Sequence, residues 1–326
     1  MDSLIDSLNS RILVLDGAMG TMIQNYNLEE TDFRGDKFKN HKSPLKGNND
    51  LLSITRPDII REIHKGYLDA GADIIETNTF SSTSIAMRDY NMENYVYDLN
   101  FESAKIAKDV VNKFPSKKYV AGAIGPTTKP ASMSPDVNDP GFRAISFDEL
   151  VKSYSEQISG LIEGGCDLLL VETIFDTLNA KAALFAISNY FEEKKINLPI
   201  MVSGTITDQS GRTLSGQTVK AFLISLSNFP IFSIGFNCAL GADQLTPYVK
   251  RLSDSANFYT SAHPNAGLPN AFGEYDQTPE EMLSQIKAYL KDGLVNIIGG
   301  CCGTTYEHIR LIAEEVKKHK PRKIIS

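Results

Sequence analysis

The chain has no tryptophan and only four cysteines in 326 residues, too few for a disulfide framework. It has no run approaching the ~18 consecutive apolar residues of a membrane span. Its first ten residues, MDSLIDSLNS, place acids where a secretory signal would be basic, and no apolar stretch of signal length follows. The expectation is a cytoplasmic protein. Basic excess is also missing: 33 Lys and Arg face 40 Asp and Glu, for a net charge of −7, so neither nucleic acid nor an anionic membrane is implied as a partner. The spacings GxGxxG and GxxxxGK[ST] are absent, which argues against an open nucleotide-binding sheet. CxxC, HxxxH and HExxH are absent too. With 42% apolar and 22% charged residues, the composition is that of a folded globular chain.

What is present is a series of short β-rich apolar runs, each followed by a turn and a helical pattern. The runs are ILVLD (12 to 16), DIIET (73 to 77), YVAGAIG (119 to 125), DLLLVET (167 to 173), PIMVSGT (199 to 205), IFSIGFN (231 to 237), FYTSAHP (258 to 264) and LVNIIGG (294 to 300). Most are continuously apolar, as strands covered on both faces are. Between them lie helical periods such as 57–71, opened by Pro57 at a favoured first position, and 146–165. Gly71, Gly165 and Gly293 stand just past helix ends, where a left-handed residue is wanted. Eight such units predict one domain over 1–326, an α/β chain folded as a single (β/α)8 TIM barrel. Two connections, 24–56 and 125–142, are long and fall after strands, so they border the C-terminal mouth as lids or binding surfaces. A weak repeat runs through DAGADIIET and EGGCDLLLVET. Its Asp-to-Glu spacing differs by two residues, so Glu76 and Glu172 keep the same strand face.

The cysteines fall in a telling place. Cys238 lies one residue after the sixth run, and Cys301 with Cys302 lies two residues after the eighth. In a barrel these are βα positions 6 and 8, with strand axes about 10 Å apart. Adjacent residues of a strand face opposite ways, so both Cys301 and Cys302 can face one centre only where the backbone bends. Gly299, Gly300 and Gly303 supply that freedom. Three thiolates suit zinc and leave a fourth position for a substrate, which predicts a zinc site at the mouth. A vicinal redox pair and buried structural thiols remain open as alternatives. Cys166 precedes a strand and reads as core. His263, at the end of the seventh run, reads as a satisfied, hydrogen-bonded histidine bordering the mouth. Asp16 and Glu172 end strands there too. Asp16 could equally be a helix cap and Glu172 a member of a buried ion pair. Glu76, Asn78 and Asn237 read as supporting residues.

LDGAMGTMIQ (15 to 24), ADIIETNTFSS (72 to 82), GAIGPT (122 to 127), LLLVETIFD (168 to 176), GFNCALG (235 to 241) and GGCCGT together resemble the homocysteine S-methyltransferase family. DFRGD (32 to 36) and the stretch 48–80 are most similar to the homocysteine-binding module of cobalamin-dependent methionine synthases. The resemblance implies a (β/α)8 barrel whose zinc is held by Cys238, Cys301 and Cys302. It also implies that Asp16 and Glu172 take the ammonium of homocysteine, with the amides of Gly17, Ala18 and Met19 at a helix start for its carboxylate. The expected reaction is methyl transfer to a zinc-activated homocysteine thiolate, giving methionine. The donor expected is methylcobalamin carried by another module or chain, because no DxHxxG is present for corrinoid binding. A methyltetrahydrofolate-binding module is the further partner. The alternatives are a self-sufficient enzyme using betaine or S-methylmethionine, whose onium groups favour aromatic cages, and a vicinal-thiol redox or zinc-binding protein.

Overall fold

A computed structural model describes residues 2–207 and 209–325. Each of the eight apolar runs overlaps a strand: β1 Leu13–Val14, β2 Ile74–Glu76, β3 Tyr119–Ile124, β4 Leu168–Ile174, β5 Ile200–Gly204, β6 Ser233–Gly241, β7 Tyr259–Asn265 and β8 Ile297–Ile298. All pair in parallel, in the order β1-β8-β7-β6-β5-β4-β3-β2. The circle is completed by a parallel bridge from Leu15 to Ile74. A helix follows every strand, from Pro57–Asp69 after β1 to Tyr306–Val316 after β8. This is the expected (β/α)8 barrel.

Local chemistry explains the boundaries. Pro57 opens its helix at the first turn. Ser146 and Glu149 form a reciprocal cap at the start of Phe147–Glu163, as do Thr278 and Glu281 at the start of Pro279–Lys291. Gly71, Gly165 and Gly293 adopt φ of 109°, 101° and 61°, the left-handed exits expected of them.

Two apolar layers follow from strand alternation. One set of side chains, including Leu13, Ile74, Tyr119, Leu168, Met201 and Tyr259, fills the barrel, and Leu4 and Leu8 of the helix Asp2–Ser10 pack against it. The other set packs outward against the helices. The interior is therefore filled at the N-terminal end, which leaves the C-terminal face for a cavity. Among the described residues no helix is long and apolar enough to cross a membrane.

The first long connection is built rather than loose. The Glu30 carboxylate accepts the amides of Leu45 and Lys46, and Arg34 donates to the carbonyls of His41 and Ser43. The second is tied at its start: Asn179 accepts the amide of Ala131, and Asp176 that of Ser132.

Candidate active site

A cavity of about 460 Å³ opens at the C-terminal ends of the strands. Its lining includes Asp16, Gly17, Ala18 and Met19 after β1, Glu76 on β2, Glu172 on β4, Cys238 on β6, His263 on β7, and Cys301 with Cys302 after β8. Every residue expected at the site reaches this one space.

The three sulfurs converge. Their Sγ atoms all lie within 4.8 Å of one another, with Cys238 and Cys302 3.8 Å apart. A disulfide needs about 2.05 Å, and all four cysteines are free. The backbone that achieves this differs from the sequence expectation. Cys238 does not follow β6; it lies within it, at a bulge where the register to β7 jumps between Asn237 and Gly241. Cys238 and Ala239 both take the left-handed region, with φ of 60° and 56°, at a cost of about 1–2 kcal/mol per residue. The bulge re-aims the thiol. At β8 only Gly303 has a positive φ, 80°. Gly299 is glycine because a Cβ there would stand 2.7 Å from Leu15 Cβ, and Gly300 because one would strike the Thr304 side chain. Close approach explains these two, not turn freedom. The Cys301 amide donates to Pro264 O, the Ala266 amide to Cys302 O, and Thr304 Oγ1 to Cys301 O, so both thiols are pinned to the end of β7.

Hydrogen bonds from Cys238 and Cys301 pull Cys302 down to about 3, whereas those with Cys238 and Cys302, together with burial, hold Cys301 well up. The cluster thus stabilises one thiolate and resists further ionisation without a cation. Its spacing fits one: sulfurs 2.3 Å from a tetrahedral zinc stand about 3.8 Å apart, the separation of Cys238 and Cys302. The donor set, three soft sulfurs in an open cavity, suits zinc with one position free. Tyr275, hydrogen-bonded to Cys302, was not foreseen, and no spacing in the sequence marks it. Cys166 is buried away from the cavity, its thiol pushed up to about 12 by burial, and is core as expected.

The acids line the same cavity. Asp16 Oδ2 accepts the Glu76 amide at 3.1 Å, while its Oδ1 is buried with no partner. It does not cap a helix: the nearest, Met19–Gln24, starts from Ala18 without a side-chain cap. Among the described residues Glu172 has no lysine or arginine to pair with; its neighbour at 3.8 Å is His263, which burial pushes down to about 3 and so keeps neutral. Glu76 is hydrogen-bonded to Glu172. Burial raises Asp16 and Glu76 well above the carboxylate range and Glu172 to about 7, so the Glu76–Glu172 pair shares a proton near neutral pH.

Four further expectations need correction. Glu76 lines the cavity itself instead of supporting it from behind; the matched Asp-to-Glu repeat already put it on the face of Glu172. His263 is not satisfied, because neither ring nitrogen has a hydrogen-bond partner. The Ala18 amide donates to Thr304 Oγ1 and is unavailable to a ligand, leaving those of Gly17 and Met19 for that task. Asn237 is a supporting residue as expected, whereas Asn78, like Glu76, lines the cavity itself. Asn237 accepts the Thr173 amide and donates to Thr173 Oγ1, holding that β-branched residue at φ 52°, and Asn78 donates to Asn49 O. Thr173 lies where β4 shifts register against β5, so Glu172 and Cys238 are both presented by irregular strand ends. The cavity lining also includes Asn48, Asn49, Asp50, Phe80, Met87 and Tyr90.

A closed parallel barrel with a triad of thiols in its C-terminal cavity belongs to the class of barrels that carry their chemistry on the βα loops. Comparison narrows this. The sequence model of the homocysteine S-methyltransferase family matches residues 13–316, and the chain belongs to that family. Among solved structures, the Escherichia coli homocysteine methyltransferase MmuM in its metallated form matches with a TM-score of 0.72 at 22% identity, over 96% of this chain and 98% of that one. Its oxidised form matches with a TM-score of 0.73 at 20% identity over the same shares. The apo form gives 0.67 at 20% identity, over 95% and 97%.

Proposed function

We propose that this chain is an S-methyltransferase that methylates the sulfur of homocysteine, giving methionine. The observation that carries the reading is the convergence of Cys238, Cys301 and Cys302 on one centre, in a single cavity that buried carboxyls also line. Cys238, Cys301 and Cys302 would hold zinc, which supplies the Lewis acidity that keeps a bound thiol ionised at neutral pH. That gain is bounded: a free thiol is already about 3% thiolate at pH 7, so full ionisation is worth roughly 30-fold, or about 2 kcal/mol.

The remaining acceleration is asked of the chain's own groups. Asp16 and Glu172 receive the substrate ammonium, and the amides of Gly17 and Met19 its carboxylate. Held by both charged groups at its α-carbon end, the amino acid has its sulfur directed at the thiol cluster, and alignment of sulfur with the incoming methyl carbon replaces a bimolecular search. The filled barrel floor under the cavity keeps water from that side.

The donor we propose is methylcobalamin carried by a separate module, with a methyltetrahydrofolate-binding module recharging it. Besides the resemblance of DFRGD and 48–80, support comes from the rim: Phe80, Val137, Phe142, Leu214, Leu268 and Phe272 are exposed on four different βα loops. An apolar rim of this kind suits a protein-borne donor. A small onium donor such as S-methylmethionine is the second reading, favoured by the cavity's continuation past homocysteine to Asp50, Asp89, Tyr90 and Phe80. The zinc-loaded chain offered homocysteine with each donor separates them. Methionine formed with free methylcobalamin and none with betaine or S-methylmethionine is expected; turnover with either onium compound alone overturns the cobalamin assignment.

A further inference from the structure

We propose that Glu76 is a third substrate-binding carboxylate, completing with Asp16 and Glu172 a cup that reads the primary ammonium of the acceptor amino acid. The inference rests on the homocysteine reading above and deepens it.

Glu76, Glu172 and Asp16 all line the cavity. The Glu76 and Glu172 carboxyl oxygens and a His263 ring nitrogen lie within 4.8 Å of one another, and the Asp16 carboxylate sits on the Glu76 amide. Among the described residues no lysine or arginine pairs with any of these three acids, and His263 is uncharged. The cup also holds unspent polar atoms: Asp16 Oδ1 and both His263 nitrogens, one of them an acceptor in the neutral ring, are buried without a partner, in residues 3% and 1% exposed. Three clustered buried carboxyls with no cation keep protons, and they ionise together only when something positive enters. A primary ammonium has three N–H donors. Carboxyls on three sides let each donor meet an acceptor of its own direction, which two acids on neighbouring sides do not. Glu76 is placed for this by β2, in register beside β3 and joined to β1 through the Asp16 contact, whereas Glu172 arrives from β4. The acids therefore approach from three strands, as a tripod must.

The consequence is selectivity for an α-amino thiol over a thiol acid lacking the amine. The test compares L-homocysteine with 4-mercaptobutyrate, its counterpart without the amino group, by calorimetric binding to the zinc-loaded chain. Wild type is expected to prefer homocysteine. Glu76→Gln, nearly isosteric, is expected to bind homocysteine about 10- to 100-fold more weakly, with 4-mercaptobutyrate affinity and zinc content changed less than about twofold. Glu76→Asp is expected to restore part of the preference. Equal weakening of both ligands, or loss of zinc, assigns Glu76 a merely structural role and overturns the proposal. So does an undiminished preference in Glu76→Gln while wild type discriminates, and so does a wild type that binds both ligands alike; in these two cases the homocysteine reading survives. Failure of wild type to bind either ligand defeats that reading, and this inference with it.

Discussion

Removing Cys238 should weaken metal binding enough for a mild chelator to strip the zinc, and leave the barrel standing. Zinc in thiolate sites of small domains is bound by about 10–16 kcal/mol through four ligands, roughly 3–4 kcal/mol each if shared evenly. Cys238→Ala takes away one of three protein sulfurs, which predicts a fall of about 100- to 1,000-fold in zinc affinity. The fold should hardly respond. Cys238 is only half-buried and belongs to neither apolar layer, and alanine tolerates φ near 60° no worse than cysteine does. Dialysis against a mild chelator, then zinc analysis and thermal unfolding of the same sample, measures both. Wild type should retain about one zinc per chain; Cys238→Ala, Cys301→Ala and Cys302→Ala should each lose it with the melting temperature of the zinc-free protein nearly unchanged, and Cys166→Ala should keep it. A stoichiometric zinc in any of the first three removes that residue from the ligand set. A collapse in melting temperature would mean that the bulge in β6 is held by the thiol and not by its backbone.

Two other expectations concern the acids. Glu172→Gln should weaken homocysteine binding by about 1.5–3 kcal/mol, the worth of a charged hydrogen bond, and unchanged affinity by calorimetry would leave Glu172 a structural carboxyl. Asp50 is buried and pushed up to about 6 from 3.8, against hydrogen bonds from Ser82 Oγ and the Ser81 amide. Its folded form thus holds a proton that the unfolded chain has released, so its stabilising contribution is present below pH ~4, falls by about 3 kcal/mol as pH rises to ~6, and is level above that. Asp50→Asn should erase this slope: the difference in urea-unfolding stability between wild type and variant should grow in the variant's favour from pH 4 to 6, and a pH-independent difference would refute the assignment.

Periodicity and composition alone determined the eight strands, the helix starts at Pro57 and Ser146, the left-handed exits at Gly71, Gly165 and Gly293, and the presence of the cysteines and acids at one end. These features are local, set by a residue's own backbone preference or by the spacing that puts it on a strand face. The pairing of Glu76 with Glu172 was half legible, since the repeat fixed their face but not that both would reach one cavity. Only the tertiary structure decided that Cys238 turns inward through a bulge inside β6, that Gly299 and Gly300 are demanded by Leu15 and Thr304 rather than by a turn, that Thr304 consumes the Ala18 amide, that Tyr275 reaches Cys302, and that His263 stands unpartnered. Each of those facts depends on the distance between atoms far apart in the chain, and closing a barrel fixes such distances all at once, through register and clash, which no stretch of sequence carries by itself.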